Sequence, residues 1–389
     1  MITVEQAEKI LNDFPLSPDK EEIPLRESLR RVLAEDLSSP IDMPPFDKSA
    51  MDGFALKTGD DSFSYRVVEV IPAGKPPVLP IVPGTCARIM TGAMLPSGAD
   101  RVIKRECTRE ENALMRIIAE DNNPNILHRG EDIRAGEPVL RSGTLIRQAE
   151  IALLASLGIG TVSVFRKPLV GIVTTGAELI PPGRPLQPGR IYDSNSFSIE
   201  SQTLATGADA VMHGTVDDDA DAIRSAVTSL AARCRLVILS GGVSAGDFDF
   251  VPDVLRKLGV TLHFEKISVQ PGMPTVFGSK EDRLFFGLPG NPVSTFIIFE
   301  IFIKPFLFRL MGHNFQPLRI QAPLAGDYQR KKGERTAFIP AVYQNGAVSL
   351  VDYHGSAHLH ALSRANALVT VPSGIREIRS GSTVDARLL

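Results

Sequence analysis

Cysteine is scarce in this chain of 389 residues: Cys86, Cys107 and Cys234 stand far apart and form no C-x-x-C pair. That argues against a disulfide framework and structural zinc, and points to a reducing compartment. Charge of one sign is also lacking. A net charge of −3 does not suit a surface built to coat nucleic acid or acidic lipid, so an anionic ligand must be met by locally concentrated donors. The start, MITVEQAEKI, has no basic end followed by an apolar run, so no signal peptide is expected. Long hydrophobic runs are absent. The most apolar stretch, Phe296 to Phe308, carries Glu300, Lys304 and Pro305 and is too short to span a bilayer. The expected setting is the cytoplasm. There is no internal repeat, no low-complexity run, no G-x-S-x-G, no isolated Cys/His pairing and no G-x-x-x-x-G-K-[ST].

What is present is an ordinary globular composition, 43% apolar and 22% charged, in a chain long enough for two to four domains. Residues 3–13 put Val4, Ala7, Ile10 and Leu11 on one face, with Thr3 and Gln6 as a capping box. Residues 25–35 repeat the helical pattern, and Pro44, Pro45 and Gly53 break it. Short strands follow to about residue 128 (Tyr65–Ile71, Cys86–Met90, Arg101–Glu106, Leu114–Ala119), a small β domain. Residues 148–157 return to helix, and the first helices are expected to join them in one domain into which the β domain is inserted. From Pro168 to Gly312 strands and helices alternate, predicting a three-layer α/β sandwich with mostly parallel strands. From about residue 313 the pattern is β again, with Asn345-Gly346 as a hairpin turn closing a small sheet or barrel. The expected division is 1–40 plus 129–166 (helical/linker), 41–128 (inserted β), 167–312 (α/β) and 313–389 (C-terminal β-barrel).

The chain is organised around LVILSGGVSAGDFD, Leu236 to Asp249. A buried strand ends at Ser240, Gly241, Gly242 and Gly246 form a turn, and an apolar helical pattern begins at Phe250. Glycine lets backbone approach an anion closely, and the following helix start adds partial positive charge. Asp247 and Asp249 inside such a turn need a cation between them and the anion, which a divalent metal would supply. The plainer alternative is a strand-to-helix turn with Asp249 as its N-cap. GLPGNPVS offers a second anion site, with Gly290 lacking a Cβ, Pro292 suited to the first helical position and Ser294 carrying a hydroxyl; alone it reads equally as a helix start. In open α/β sheets ligands lie beyond the carboxyl ends of the strands, where Glu178, Asp218, Asp247 and Asp249 should gather. Pro44–Leu56 and Arg88–Glu106 place Asp47, Ser49, Asp52, Thr91 and Gly92 in loops fixed by proline and glycine, either ordinary turn chemistry or ligand contacts. His354, His358 and His360 match no known ligand spacing and carry no metal expectation. The sum points to phosphate or phosphoanhydride chemistry assisted by a divalent metal.

FDKSAMDGFA, IMTGA, RGEDIRAGE, IALLASLGI, TTGAEL, IYDSN, SGGVSAGDFDF and GLPGNPVS, in this order, closely resemble the MoeA family of molybdopterin molybdenumtransferases, which includes the gephyrin E domain. The resemblance spans essentially the whole chain. It implies four domains and an elongated homodimer with active clefts shared between protomers. The implied reaction is Mg2+-dependent insertion of molybdate into adenylylated molybdopterin, releasing AMP. By motif, Asp249 and Glu178 correspond to the metal-binding carboxylates, Asp218 to a supporting acid and Lys266 to a charge-stabilising cation. Asp52 and Thr91 would reach in from the partner, and Gly92 belongs to the substrate-binding set. Ser294, Arg335 and Ser356 correspond to the molybdate contacts, Arg335 having the fork that suits a tetrahedral oxyanion. Asp193, Ser194, Asn195, Ser240, Gly241, Gly242, Gly246, Pro271, Pro274, Gly290, Asn291 and Pro292 complete the substrate-binding set. Upstream and downstream cofactor proteins are implied partners; nucleic acid and membrane are not.

One departure stands out. In SVQPGMP, Gln270 and Met273 occupy positions where the family commonly has lysine. A neutral donor at Gln270 makes a hydrogen bond about half as strong as a charged one, which bears on oxyanion affinity and on molybdate over tungstate preference. Two rival readings are an ATP-consuming adenylyltransferase, which the extra β domains do not suit, and a non-catalytic scaffold, against which the Asp249, Glu178 and Lys266 set argues.

Overall fold

A computed structural model spans residues 1–389 and describes all of them except 244–249, 353, 354, 356 and 357. The chain forms two compact units, one of Met1–Glu22, Arg30–Ala34 and Ser163–Leu389, the other of Ile23–Leu29 and Glu35–Val162.

The larger unit is built on a six-stranded sheet in the order Asp209–Val216, Leu169–Thr175, Leu236–Ser240, Arg283–Leu288, Val276–Lys280, Thr261–Phe264. Five strands run the same way and Val276–Lys280 runs against them. Strands covered on both faces need apolar residues at both parities, and these runs supply them. Leu236 and Ile238 enter one core with Val4, Leu11, Ile199, Val293 and Phe306. Val237 and Leu239 enter the other with Ile223, Val227, Val251 and Leu255. The α/β sandwich therefore has the three layers expected of it. On the first face Phe277 packs on Phe286 at 4.8 Å between ring centroids and on Phe306 at 5.4 Å. Each such fully buried side chain contributes about 2 to 3 kcal/mol.

The capping box at Thr3 forms: Gln6 N–H donates to Thr3 Oγ1 at 3.2 Å and Thr3 N–H to Gln6 Oε1 at 2.9 Å. The helix it starts, Val4–Asp13, buries Val4, Ala7 and Leu11 in the sheet's core. It therefore lies in the larger unit, whereas the Gln148–Ser156 helix, expected beside it, lies in the smaller. The apolar stripe of Val4–Asp13 is matched by the sheet, and that burial decides where it packs.

The helix expected over 25–35 does not form. Leu25–Glu27 is a single tight turn, closed by the Ser28 hydroxyl donating to Leu25 O at 2.7 Å, and Arg30 at φ 64° ends it. Val32, Leu33 and Ala34 are all buried in extended backbone, with Ala34 N–H donating to Ser163 O and Phe165 N–H to Val32 O. Three consecutive buried apolar residues fit an extended segment covered on both faces better than one helix stripe.

The last helix of the α/β region is interrupted. Pro292–Ile298 passes through a π-helical turn, Phe299–Ile303, into Lys304–Leu310. Pro305 has no N–H to return to the preceding turn, and the wider turn accommodates its ring.

The C-terminal sheet takes the order Val269–Gln270, Thr336–Gln344, Ala367–Val371, Thr383–Leu388, Arg319–Pro323, with Ala347–Leu350 also on Thr336–Gln344. Its hairpin turns at Asn345 and Gly346, φ 52° and 79°, the left-handed pair that an N-G turn requires. Val269–Gln270 is the strand that ties this sheet to the α/β region's chain.

The smaller unit holds a six-stranded sheet, Arg101–Lys104, Gly53–Leu56, Thr85–Ile89, Tyr65–Ile71, Leu114–Ile117, Thr108–Glu111. Gly53–Leu56 and Thr108–Glu111 were not expected as strands. Gly53 runs so close to its neighbour that a Cβ would lie 2.0 Å from Ile103 O. No helix among the described residues is long and apolar enough to cross a membrane.

Candidate functional site

Four adjacent strands of the larger unit (Asp209–Val216, Leu169–Thr175, Leu236–Ser240 and Arg283–Leu288) end side by side, and their loops, with Pro274, enclose a cleft of about 270 Å3. Thr175, Glu178, Asp218, Gly241, Gly242, Val243, Pro274, Pro289, Gly290 and Asn291 line it. Seven of these (Glu178, Asp218, Gly241, Gly242, Pro274, Gly290 and Asn291) are residues singled out from the sequence. The parallel register brings them together, because Thr174 pairs with Ser240 and Ser240 with Leu288 across adjacent strands.

The absence of side chains shapes the cleft. Gly241 sits at φ 101°, and a Cβ there would lie 2.6 Å from both Thr175 O and Thr175 Oγ1. Gly290 passes within contact of it, its would-be Cβ 3.7 Å from Gly241 Cα. Glu178 folds back over Gly176, where a Cβ would meet its carboxylate at 2.8 Å. Asn195 fastens two of the loops, donating from Nδ2 to Ser240 Oγ at 2.9 Å and to Gly290 O at 2.8 Å.

Among the described residues Thr175 Oγ1 and Asn195 Oδ1 are buried without a hydrogen-bond partner. A buried polar atom left unpaired is costly, and Thr175 lines the cleft. Sequence reasoning missed Thr175; its signal was a hydroxyl ending a strand ahead of the Gly176 turn. Two carboxylates on one cleft, with the buried Thr175 hydroxyl beneath them, offer oxygen donors of the kind that Mg2+ takes. Among the described residues no group of three His, Cys, Asp or Glu side chains is arranged to hold a metal. Asp249 and Asp247, like Gly246, Ser356 and His354, lie outside the described residues.

The other sequence-selected residues fall elsewhere. Asp193 is 3% exposed and is used to start the Asn195–Thr206 helix. It accepts from Thr174 Oγ1 at 2.8 Å, Ser196 Oγ at 2.6 Å and Ser196 N–H at 3.1 Å, and this ties it to the protein. Ser194 precedes that helix. Ser294 is buried in Pro292–Ile298 behind Pro292. Lys266 is exposed, accepts from Ile2 N–H through its backbone, and is not among the lining residues.

A second cleft, of about 500 Å3, is lined by Gln270, Pro271, Asp327, Tyr328, Phe338, Asp352 and Gly355 among others. The QPGMP turn thus serves both: Pro271 faces the second cleft and Pro274 the first. Gly272, at φ 105°, lies where a Cβ would be 2.5 Å from the Ile298 side chain, and Thr275 Oγ1 donates to Gly272 O at 2.7 Å. Arg335 lines neither cleft; its carbonyl accepts from Arg330 at 2.9 Å.

In the smaller unit Asp52 and Thr91 form a local pair. Asp52 Oδ1 accepts from Thr91 Oγ1 and Thr91 N–H, both at 2.7 Å. The hydrogen bonds from Thr91 hold this carboxyl below the ordinary aspartate value. Gly92, at φ 80°, donates to Ser49 O at 2.8 Å.

Three family models match the chain in order: the MoeA N-terminal region (domains I and II) over residues 2–158, a probable molybdopterin binding domain over 171–309, and the MoeA C-terminal region (domain IV) over 321–389. The chain belongs to the MoeA family of molybdopterin molybdenumtransferases. A molybdopterin molybdenumtransferase of Bacillus subtilis is 35% identical over 100% of this chain and 94% of its own length. One from Haemophilus influenzae is 34% identical over 99% and 98%. The crystal structure of a MoeA protein from Pyrococcus horikoshii OT3 matches with a TM-score of 0.87 at 31% identity, covering all of both chains. These MoeA relatives extend along the whole chain, so the fold is that of the MoeA family from end to end.

Proposed function

We propose that this chain inserts molybdate into adenylylated molybdopterin with Mg2+-dependent release of AMP, the last step of molybdenum cofactor biosynthesis. The observation that carries the reading is the 270 Å3 cleft, which gathers two carboxylates, an unpaired hydroxyl and close-packed glycine loops at the strand ends. Glu178, with Asp249, would hold the metal, and Asp218 would support it. Bound there, Mg2+ would offset the negative charge on the phosphoanhydride as it is cleaved. Gly241, Gly242, Gly246, Gly290, Asn291 and Pro292 would admit the pyrophosphate backbone. Asn195 and Asp193 would act by holding Ser240 and the helix start in place. Lys266 would stabilise charge as the bond breaks. Ser294, Arg335, Ser356, Pro271 and Pro274 would contact the oxyanion side.

The same reading includes a cytoplasmic homodimer in which Asp52 and Thr91 complete the partner's cleft, with Gly92 among the substrate-binding residues. It also includes the four-part division at residues 41, 129, 167 and 313, and hand-over to neighbouring cofactor proteins. The test is AMP release from adenylylated molybdopterin with and without molybdate and Mg2+. Release stimulated by both is expected; none would refute the reading. Consumption of ATP with molybdopterin would instead place the chain among adenylyltransferases.

A further inference from the structure

A cavity of about 330 Å3, sharing no lining residue with either cleft, lies within the larger unit among Val4–Asp13, the helix ending at Leu310, and residues 314–319. Its lining contains three arginines and a single acid, Glu8. Arg387 is the unusual member. It is only 5% exposed, and among the described residues its hydrogen-bond partner is the Glu300 carbonyl, in the π-helical turn. The Glu300 carboxylate is already engaged, accepting from Gln202 at 2.9 Å and Lys304 at 2.8 Å. Burial lowers the Arg387 guanidinium to about 10.

Arg309 is spent on two backbone carbonyls, Leu11 O and Phe14 O. Neither Arg309 nor Arg387 has a carboxylate partner among the described residues. Arg319 meets Asp385 at 3.3 Å. Asp13 acts on Arg309 and Glu300 on Arg387 only at longer range, and each is already paired with a lysine, so in the lining itself one acid faces three guanidinium groups. A buried guanidinium is costly unless paired. Of the remaining walls, Asn12, Asn314 and Gln316 supply neutral polar groups, and Phe302, Phe306 and Phe315 form an apolar side.

The geometry points to a binding site for an organic monocarboxylate with a compact apolar body, its carboxylate on Arg387 and Arg319 and its body against the phenylalanines. Glu8 sets the limit on charge, since a second carboxylate would meet it. The inference is independent of the roles proposed for the two clefts. Through Arg387 and the π-helical turn the site contacts the helix that begins at Pro292, in the loop facing the first cleft.

The experiment is thermal unfolding of the full chain in low-chloride buffer, titrated with 3-phenylpropionate, 3-phenylpropanamide, acetate or chloride. A ligand that binds only the folded chain raises Tm saturably. Phenylpropionate should do so, with acetate and chloride much weaker at equal ionic strength and the amide inert. Glu8→Gln should lower the phenylpropionate midpoint by about threefold to tenfold, the effect of removing one nearby like charge. Arg319→Gln should raise it by a comparable factor. Arg387→Gln should abolish the response, and if it fails to fold the Glu8 and Arg319 variants still decide. An equal shift with the amide, or with chloride, would overturn the proposal. So would no response to phenylpropionate, or a midpoint that Glu8→Gln leaves unchanged.

Discussion

Asp52 and Glu178 are both proposed for one reaction, yet the protein holds them in opposite ways. Asp52, in the smaller unit, is gripped by its neighbour: the Thr91 hydroxyl and amide both donate to one of its oxygens, and its carboxyl stays ionised below the usual range. Glu178, in the larger unit, folds over Gly176, whose missing side chain makes the room, and it lines the cleft beside Asp218 and the unpaired Thr175 hydroxyl. A carboxylate fixed by hydrogen bonds is a standing charge with a set direction. One held by a space is open to recruitment by a cation. Asp193 is a third case, buried and consumed by the start of a helix. Carboxylate identity alone does not distinguish these roles; the donors around each group do.

The largest test of this contrast is Glu178→Gln. It should lower kcat for AMP release by about a hundredfold, the scale seen when a group acting on developing charge is removed, with Tm unchanged. A rate within threefold of the parent would break the comparison at the Glu178 end. Next, Gln270→Lys should reduce the molybdate concentration for half-maximal cofactor formation several-fold, since a charge-assisted hydrogen bond replaces a neutral one. An unchanged or higher value in a reconstituted assay removes that role for the QPGMP turn.

The smallest effect belongs to Thr91→Val. Without the hydroxyl the Asp52 carboxyl should move up toward its ordinary value, measurable by NMR titration. Because the folded value is depressed, the stability that Thr91 adds is present above about pH 4 and is lost as pH falls through the folded value. The Tm gap between parent and variant should therefore narrow only at acid pH. A gap that instead widens there would mean Asp52 is not held as a charge.

Much of the α/β region was legible because its signals are local. LVILS and LFFGL are runs whose length and apolarity fit strands covered on both faces, and DDDADAIRSAV carries its own N-cap in Asp219. The N-G hairpin and the Thr3–Gln6 box were legible for the same reason. The 25–35 segment misled because Val32, Leu33 and Ala34 satisfy a helical pattern as readily as an extended one, and only their pairing with Ser163–Phe165 decides. The π-helical turn was hidden in a run that Pro305 alone marks. Thr175 was invisible as a site residue because a strand-ending threonine is ordinary until its partners are known.

By itself the sequence determined the family, many of the strands and most helices, and that glycine loops would meet carboxylates at the ends of parallel strands. Apolar periodicity and glycine positions act within a few residues of chain, so they can be read in one dimension. Only the tertiary structure decided which carboxylates stand free, which are consumed, and that Lys266 and Arg335 lie outside the lining of the first cleft. It alone brought Glu8, Arg309, Arg319 and Arg387 around one cavity. Charge placement depends on contacts between residues hundreds of positions apart, and the cost of burying a guanidinium is set by that whole environment.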